Sequence, residues 1–214
     1  SYAANVTFHD SKNYNDKSIE VKFTVDRVTP IINITIDDTT YPGKAVAHVN
    51  ISDYANGTIN ITVDGKVFNA TVTNGVADVN LTGLSAGSKV AGVEFFTSDA
   101  YNYNATASAK FTVNKANSTI VIEVEKAYFY DDSIVINLTA TGSAGVVNVT
   151  INGKSYSVNN KQVVIPRIAA GVYTIIADLA ANENYTAATN STTFKVKQAG
   201  TSVDIGVGSV YYVG

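Results

Sequence analysis

"GTINITVDGKVFNATVTNG", residues 57–75, decides the fold. Apolar and polar side chains alternate on both sides of Asp64-Gly65, the period of two of a half-buried strand. Asp-Gly suits a type I′ turn, whose two central residues both need positive φ. A hairpin is therefore expected, with Ile59, Ile61 and Val63 facing a core and Asn60 and Thr62 facing solvent. The outward positions hold Asn and Thr instead of charges, which writes Asn-x-Thr triplets at Asn60 and Asn69. Residues 145–160, "GVVNVTINGKSYSVNN", repeat the plan around Asn152-Gly153, and Gly65 and Gly153 lie 88 residues apart.

Other landmarks recur in the same order. "LSAG" at 84–87 matches "IAAG" at 168–171, and "VDGK" at 63–66 matches "INGK" at 151–154. An Asn-Tyr loop followed by a strand ending in Phe occurs three times, at Tyr14/Phe23, Tyr103/Phe111 and Tyr185/Phe194. Three ordered landmarks at a common offset establish an internal repeat. In the second copy, period-two runs cover 119–124, 133–140, 146–151, 154–158, 161–165, 172–179 and 188–197, with no helical periodicity. Seven short strands separated by turn signals predict an all-β fold of tandem immunoglobulin-like antiparallel β-sandwiches. The expected domains are a complete sandwich over 27–115 and another over 116–198. Residues 1–26 match only the last two strands of a repeat: Tyr2, Ala4, Val6 and Phe8 align with Tyr173, Ile175, Ala177 and Leu179. Residues 199–214 match only a first strand, with Tyr212 in the place of Tyr41 and Phe129. The chain is thus expected to be a window on a longer repeating polypeptide, or part of an assembly that supplies the missing strands. The predicted core includes Val149, Ile151, Ile175 and Leu179, with Ile61, Val63, Ala91 and Phe95 as counterparts.

Composition narrows the function classes. The 214 residues are 45% hydrophobic, enough for packed cores. Only 15% are charged, against roughly 25% in ordinary soluble domains. A net charge of −3 gives no basic footprint and argues against nucleic acid as a partner. No run of about 18 apolar residues reads as a membrane span. With no Cys, neither a disulfide framework nor a thiolate metal site can form.

The order "DGK … G-x-A-x-V-x-L-x-x-L-x-A-G … NY … FTV" resembles the bacterial Ig-like repeats found in tandem in large surface proteins. The Asn-rich, Cys-free dialect resembles the adhesin-like proteins of methanogenic archaea. The resemblance spans nearly the whole chain. It implies a structural or adhesive segment of a long extracellular cell-surface protein, a stalk or fibre that projects from or connects cells. A carbohydrate- or protein-binding adhesin head and a strand-exchanging filament subunit are the alternatives. Implied partners are other repeats of the same chain, other copies in a filament, and other cell surfaces. One departure stands out: the family often has Gly-Asp before the Asn-Tyr loop, and Asp10 and Asp99 stand there, whereas the third copy has Ala181.

Asn-x-Ser/Thr triplets begin at 13 of the 22 asparagines. Random placement of 40 Ser and Thr in 214 residues would give about four. Strand alternation produces part of the excess, because i and i+2 share a face. N-glycosylation of an exported protein is the functional reading. The loop sites Asn56, Asn104 and Asn184 are the foremost candidates, followed by Asn5, Asn33, Asn60, Asn69 and Asn148.

Acid pairs Asp37-Asp38 and Asp131-Asp132 lie near turns. A calcium site needs six to eight converging oxygens, and these pairs do not align between copies, so turn formation is the expected role. A Lys–Asn crosslink would need Lys110 or Lys195 buried, and both read as surface lysines. The two histidines, His9 and His48, do not recur between copies, so no Ser–His–Asp arrangement is expected. The chain therefore reads as a non-enzyme needing no cofactor. Tyr103 and Tyr185 are expected to be corner tyrosines covering the core. Tyr101 remains a candidate contact residue.

Overall fold

The computed structural model describes residues 1–9, 11–52, 55–143, 145–206, 208–209 and 212–214. The chain divides into two compact units, Ser1–Lys115 and Ala116–Gly214. Strands of the first are β1 (Tyr2–Phe8), β2 (Lys17–Phe23), β3 (Ile32–Ile36), β4 (Thr39–Thr40), β5 (Ala45–Ile51), β6 (Gly57–Val63), β7 (Lys66–Val72), β8 (Val76–Leu81), β9 (Gly87–Thr97) and β10 (Ala105–Asn114). Strands of the second are β11 (Thr119–Glu123), β12 (Ala127–Phe129), β13 (Ile134–Thr141), β14 (Val147–Ile151), β15 (Lys154–Tyr156), β16 (Gln162–Ile165), β17 (Gly171–Leu179) and β18 (Ala188–Lys197).

The first unit sets the three-stranded sheet β3-β5-β8 against the five-stranded sheet β4-β10-β9-β6-β7. The second repeats the order exactly one copy later, as β11-β13-β16 and β12-β18-β17-β14-β15. Both are all-β Ig-like sandwiches. Each buries one face of both sheets in a single cluster. Ala47, Ile59, Ile61, Phe95 and Phe111 anchor the first, and Ile136, Val149, Ile175, Leu179 and Phe194 anchor the second. All eight core positions expected from alternation are buried. The register follows from strand geometry, because a slip of one residue would carry every one of these side chains to solvent.

Turn chemistry acts as expected. Asp64 and Gly65 take φ of 49° and 76°, Asn152 and Gly153 take 45° and 80°, and both close their hairpins as type I′ turns. Two further turns of the same kind join β7 to β8 at Asn74-Gly75 and β15 to β16 at Asn160-Lys161. Gly57 is required for space: a Cβ there would overlap the Phe96 carbonyl oxygen.

Three findings add to the alternation reading, and the first and third differ from it. Each sandwich has eight strands, because β4 and β12 pair in parallel with the last strand of their unit, β10 and β18. At two and three residues they are too short to carry a period. Second, residues 1–23 form a hairpin, β1 against β2, in the register Tyr2↔Phe23. Its equivalents pair Lys89 with Phe111 and Tyr173 with Phe194. One hairpin face carries Tyr2, Ala4, Val6, Phe8, Ile19, Val21 and Phe23, and all are exposed. Third, residues 199–206 align with a first strand but form none, and Val203 and Ile205 are 85% and 79% exposed. A strand exists only through a partner's hydrogen bonds, and this segment has none among the described residues.

Candidate functional site

The outward strand faces are the most distinctive surface. On β6 and β7, Thr58 stands opposite Thr71 and Asn60 opposite Asn69. These four line one shallow groove. On β3 and β5, Asn33 stands opposite Asn50. Four Asn-x-Ser/Thr sites therefore form two directly facing pairs, with Cβ atoms about 4.5–5.5 Å apart for such neighbours. Asn5, Asn33, Asn69 and Asn148 are exposed on strands, and Asn60 is half-buried.

The loop candidates differ among themselves. Asn104 is exposed, and its Oδ1 accepts the Thr97 N–H at 3.0 Å. That bond uses the oxygen, not the nitrogen that carries a glycan. Asn56 is half-buried, its Oδ1 accepting the Asn74 N–H at 2.9 Å. Asn184 is also half-buried. Asn190 points the other way: its Nδ2 donates to the Ile120 carbonyl at 2.8 Å, fastening β18 to β11.

The loop before β10 is organised by Asp99. Its Oδ1 accepts the Tyr101 and Asn102 backbone N–H groups, each at 2.8 Å. The Asn102 amide donates to both carboxylate oxygens, at 3.2 and 3.1 Å, and the Asn56 N–H reaches Oδ2 at 3.3 Å. The Asn102 amide foremost, then the Tyr101 N–H, holds the Asp99 carboxyl well below its ordinary value, against a smaller opposing effect of desolvation. In the second unit Asn182 makes the same turn without charge, its Oδ1 accepting the Asn184 and Tyr185 N–H groups at 2.9 Å. Asp99 thus fastens backbone. Asp10, the other acid of this landmark, lies outside the described residues.

The corner-tyrosine expectation is corrected here for Tyr103. Asn102 pairs with Val28, as Tyr185 pairs with Ala116, so Asn102 takes the tyrosine's place. Asn102 is buried, and its Oδ1 has no protein partner. Tyr103 is exposed under the Arg27 guanidinium, 5.7 Å from the ring centre. Tyr185 is half-buried. Tyr101 stands 60% exposed at the loop tip.

One buried charge escaped the sequence reading. Lys89 is only 7% exposed, and its ammonium donates to Asp64 Oδ2 at 2.6 Å and Ser85 Oγ at 3.1 Å. Its equivalents are aromatic: Tyr173 stacks on Phe194 at 5.3 Å and Tyr2 on Phe23 at 5.6 Å. The signal was the alignment of "GSK" at 87–89 with "GVY" at 171–173.

The acid pairs also serve the fold. Asp38 accepts the Thr112 N–H at 2.6 Å, Asp132 the Phe129 N–H at 2.6 Å, and Asp131 pairs with Arg167 at 2.9 Å. Lys110 and Lys195 are exposed. His48 lies on the polar face, its Nδ1 2.8 Å from Asp78 Oδ1. The same cross-strand position in the second unit holds Gln162, whose amide donates to Asn137 Oδ1 at 2.7 Å. His9 faces Asp16 at 3.6 Å on the surface. Among the described residues no group of three or more His, Asp or Glu could hold a metal ion, and no helix is long and apolar enough to cross a membrane.

No protein-family model and no curated protein matches the chain. Among solved structures it is similar to the fibronectin(III)-like modules of Clostridium thermocellum CbhA, at 13% identity over 83% of this chain and 100% of that one, with a TM-score of 0.34. DIP-gamma IG1+IG2 is similar at 14% identity, over 81% and 99%, with a TM-score of 0.34. The I9-I11 tandem from titin is similar at 16% identity, over 92% and 74%, with a TM-score of 0.30. Likenesses of this degree carry no argument about function, and the fold stands on the strand pairing and the two cores.

Proposed function

We propose that the chain is a structural and adhesive segment of a long extracellular surface protein of the archaeal adhesin-like kind, working as a stalk or fibre decorated with N-glycans. One observation carries the reading. Two sandwiches of identical strand order turn neutral Asn and Thr faces to solvent, while Asp38, Asp99, Asp132 and Lys89 are spent on fastening backbone and turns. Repetition of one unit builds length, and quasi-one-dimensional arrays fold by local contacts. Amides and hydroxyls keep the faces hydrated, and glycans at Asn104 and the strand sites add bulk there. Partners are other repeats of the chain and other cell surfaces.

Imaging and intact mass of the native protein test this together. An extended fibre carrying hexose-containing glycopeptides is expected. A compact, unmodified molecule would overturn the reading. A second reading, a carbohydrate- or protein-binding head, rests on exposed Tyr101, which has no aromatic equivalent in the second unit, where Asn184 stands. It requires Tyr101→Ala to abolish binding to cells or glycans while leaving the melting of the protein unchanged.

A further inference from the structure

Phe96 is 41% exposed on the polar outer face of β9. Its place in the hairpin occurs three times in the chain, each time with different occupants. One residue beyond the last listed pair of β1-β2, β9-β10 and β17-β18, the registers set His9 against Asp16, Phe96 against Asn104, and Ala180 against Ala187. His9 and Asp16 meet at 3.6 Å, which shows that this pair of positions is in contact. Asn104 opens the triplet Asn104-Ala105-Thr106, and Thr106 stands on the same outward face opposite Glu94. The aromatic ring and the triplet thus occur together in one copy, and neither occurs at this place in the other two. Other strand triplets face polar groups: Asn5, Asn33, Asn60 and Asn148 stand opposite Glu20, Asn50, Asn69 and Asp178.

The surroundings form a seat. Thr29, Pro30, Glu94, Phe96, Asn104 and Thr106 line one groove of about 350 Å³, at the lower end of the volumes that hold a ligand. Pro30 is buried and gives an apolar wall beside the ring, while Glu94, Thr29 and Thr106 put a carboxylate and two hydroxyls around it. The Asn104 side chain is pinned, because its Oδ1 accepts the Thr97 N–H at 3.0 Å. A donor at that place fixes which end of the amide is oxygen. Its Nδ2 makes no hydrogen bond among the described residues.

We propose that the first sugar of an N-glycan on Asn104 lies in this groove with its C–H face on the Phe96 ring. The inference rests on the reading of the chain as an N-glycoprotein. The linkage forms when Nδ2 attacks the anomeric carbon of a lipid-linked sugar phosphate; one N–H proton is lost, and the phosphate leaves with the bonding pair. Directly opposed positions in an antiparallel pair have Cβ atoms about 4.5–5.5 Å apart, so a pyranose on Nδ2 starts within reach of the ring. Its C–H groups cover the exposed aromatic face, and its hydroxyls turn to Glu94, Thr29 and water. The glycan at Asn104 is therefore part of the folded surface of the first unit, whereas glycans on the other strand sites have no ring to lie on.

The test uses residues 1–214 secreted from a eukaryotic host that attaches N-glycans, trimmed enzymatically to the first N-acetylglucosamine. Thr106→Ala removes the triplet and leaves Asn104 and its bond to Thr97 in place. It should lower the melting temperature of the first unit by about 3–8 °C. In the Phe96→Ala background the same substitution should shift melting by less than about 1 °C. The same four proteins made in bacteria, without glycan, give the cost of the substitutions themselves, and amide exchange at Ile61 and Phe95 shows that each is folded. NMR of the trimmed form should show proton contacts between the Phe96 ring and the sugar. Two results would overturn the proposal, and they differ in what else they remove. Asn104 found bare in glycopeptides of the native protein would take the Asn104 part of the glycoprotein reading with it. An occupied Asn104 with equal shifts in both backgrounds and no ring-to-sugar contact would overturn the seat alone.

Discussion

Lys89 and Asp64 offer the sharpest test of the energetics, because two substitutions at one site should act with opposite signs. Asp64→Asn keeps a residue that tolerates the positive φ of the turn and removes the carboxylate 2.6 Å from the Lys89 ammonium. Removing one partner of a fully buried pair costs about 3–5 kcal/mol. Asp64 is 44% exposed, and Ser85 and the new amide oxygen still accept, so about 1–2 kcal/mol is the expected loss. For a sandwich of this size that lowers the melting temperature of the first unit by roughly 5–15 °C. Lys89→Tyr installs the side chain found at Tyr173 and Tyr2. It regains an aromatic stack on Phe111 worth about 0.5–1.5 kcal/mol beyond area and removes the desolvated charge, so it should be neutral to stabilising. In the Lys89→Tyr background, Asp64→Asn should then cost less than about 0.5 kcal/mol, since the exposed turn has lost its buried partner. Urea titration of the full chain, followed by amide exchange at Ile61 and Phe95 to isolate the first unit, completes the cycle. Equal cost of Asp64→Asn in both backgrounds would refute the claim that Lys89 is a buried cation held by Asp64.

Facing asparagines predict exclusion in the glycan pattern: Asn60 or Asn69, and Asn33 or Asn50, should each be modified in a given molecule, never both. Glycopeptide mapping should also find Asn104 modified and Asn190 bare, and a glycan on Asn190 would show the β18–β11 fastening to be dispensable. Asp99 predicts a pH effect of definite sign. Its folded carboxyl titrates below the ordinary 3.8, so its contribution is complete above that value and is lost as pH falls below it towards the folded one. Asp99→Asn, which keeps the acceptor as Asn182 does, should flatten this part of the acid limb in urea midpoints measured downward from about pH 5; an unchanged limb refutes the assignment. In the cores, Phe95→Ala and Ile175→Ala should cost about 3–5 and 2–5 kcal/mol, whereas exposed Val67→Ala and Val164→Ala should stay within about 0.5 kcal/mol. Reversal of that ranking in denaturant midpoints would place the register one residue off.

The sequence by itself determined what is local. Alternation separated Ile59, Ile61 and Val63 from Asn60 and Thr62, because successive side chains leave opposite faces of a strand whatever it packs against. Asp64-Gly65 and Asn152-Gly153 announced their turns, because positive φ restricts residue choice within a dipeptide. The spacing even contained the Asn102 site: nine residues before Phe111 stands Asn102, where Tyr14 and Tyr185 stand nine before Phe23 and Phe194. The shared Asn-Tyr spelling at 102–103 pointed one residue too far. Tertiary structure decided the rest. β4 and β12 exist only because a neighbouring strand offers hydrogen bonds, which no two- or three-residue run can display in advance. Lys89 is buried because Asp64 and Ser85, far or near in sequence, converge on it, and burial of a charge depends on its partners, not on the residue. The hairpin at 1–23 and the unpaired segment 201–206 carry the same alternation as their covered equivalents. Whether an apolar face is buried or exposed is set by what lies across from it, and that is a property of packing alone.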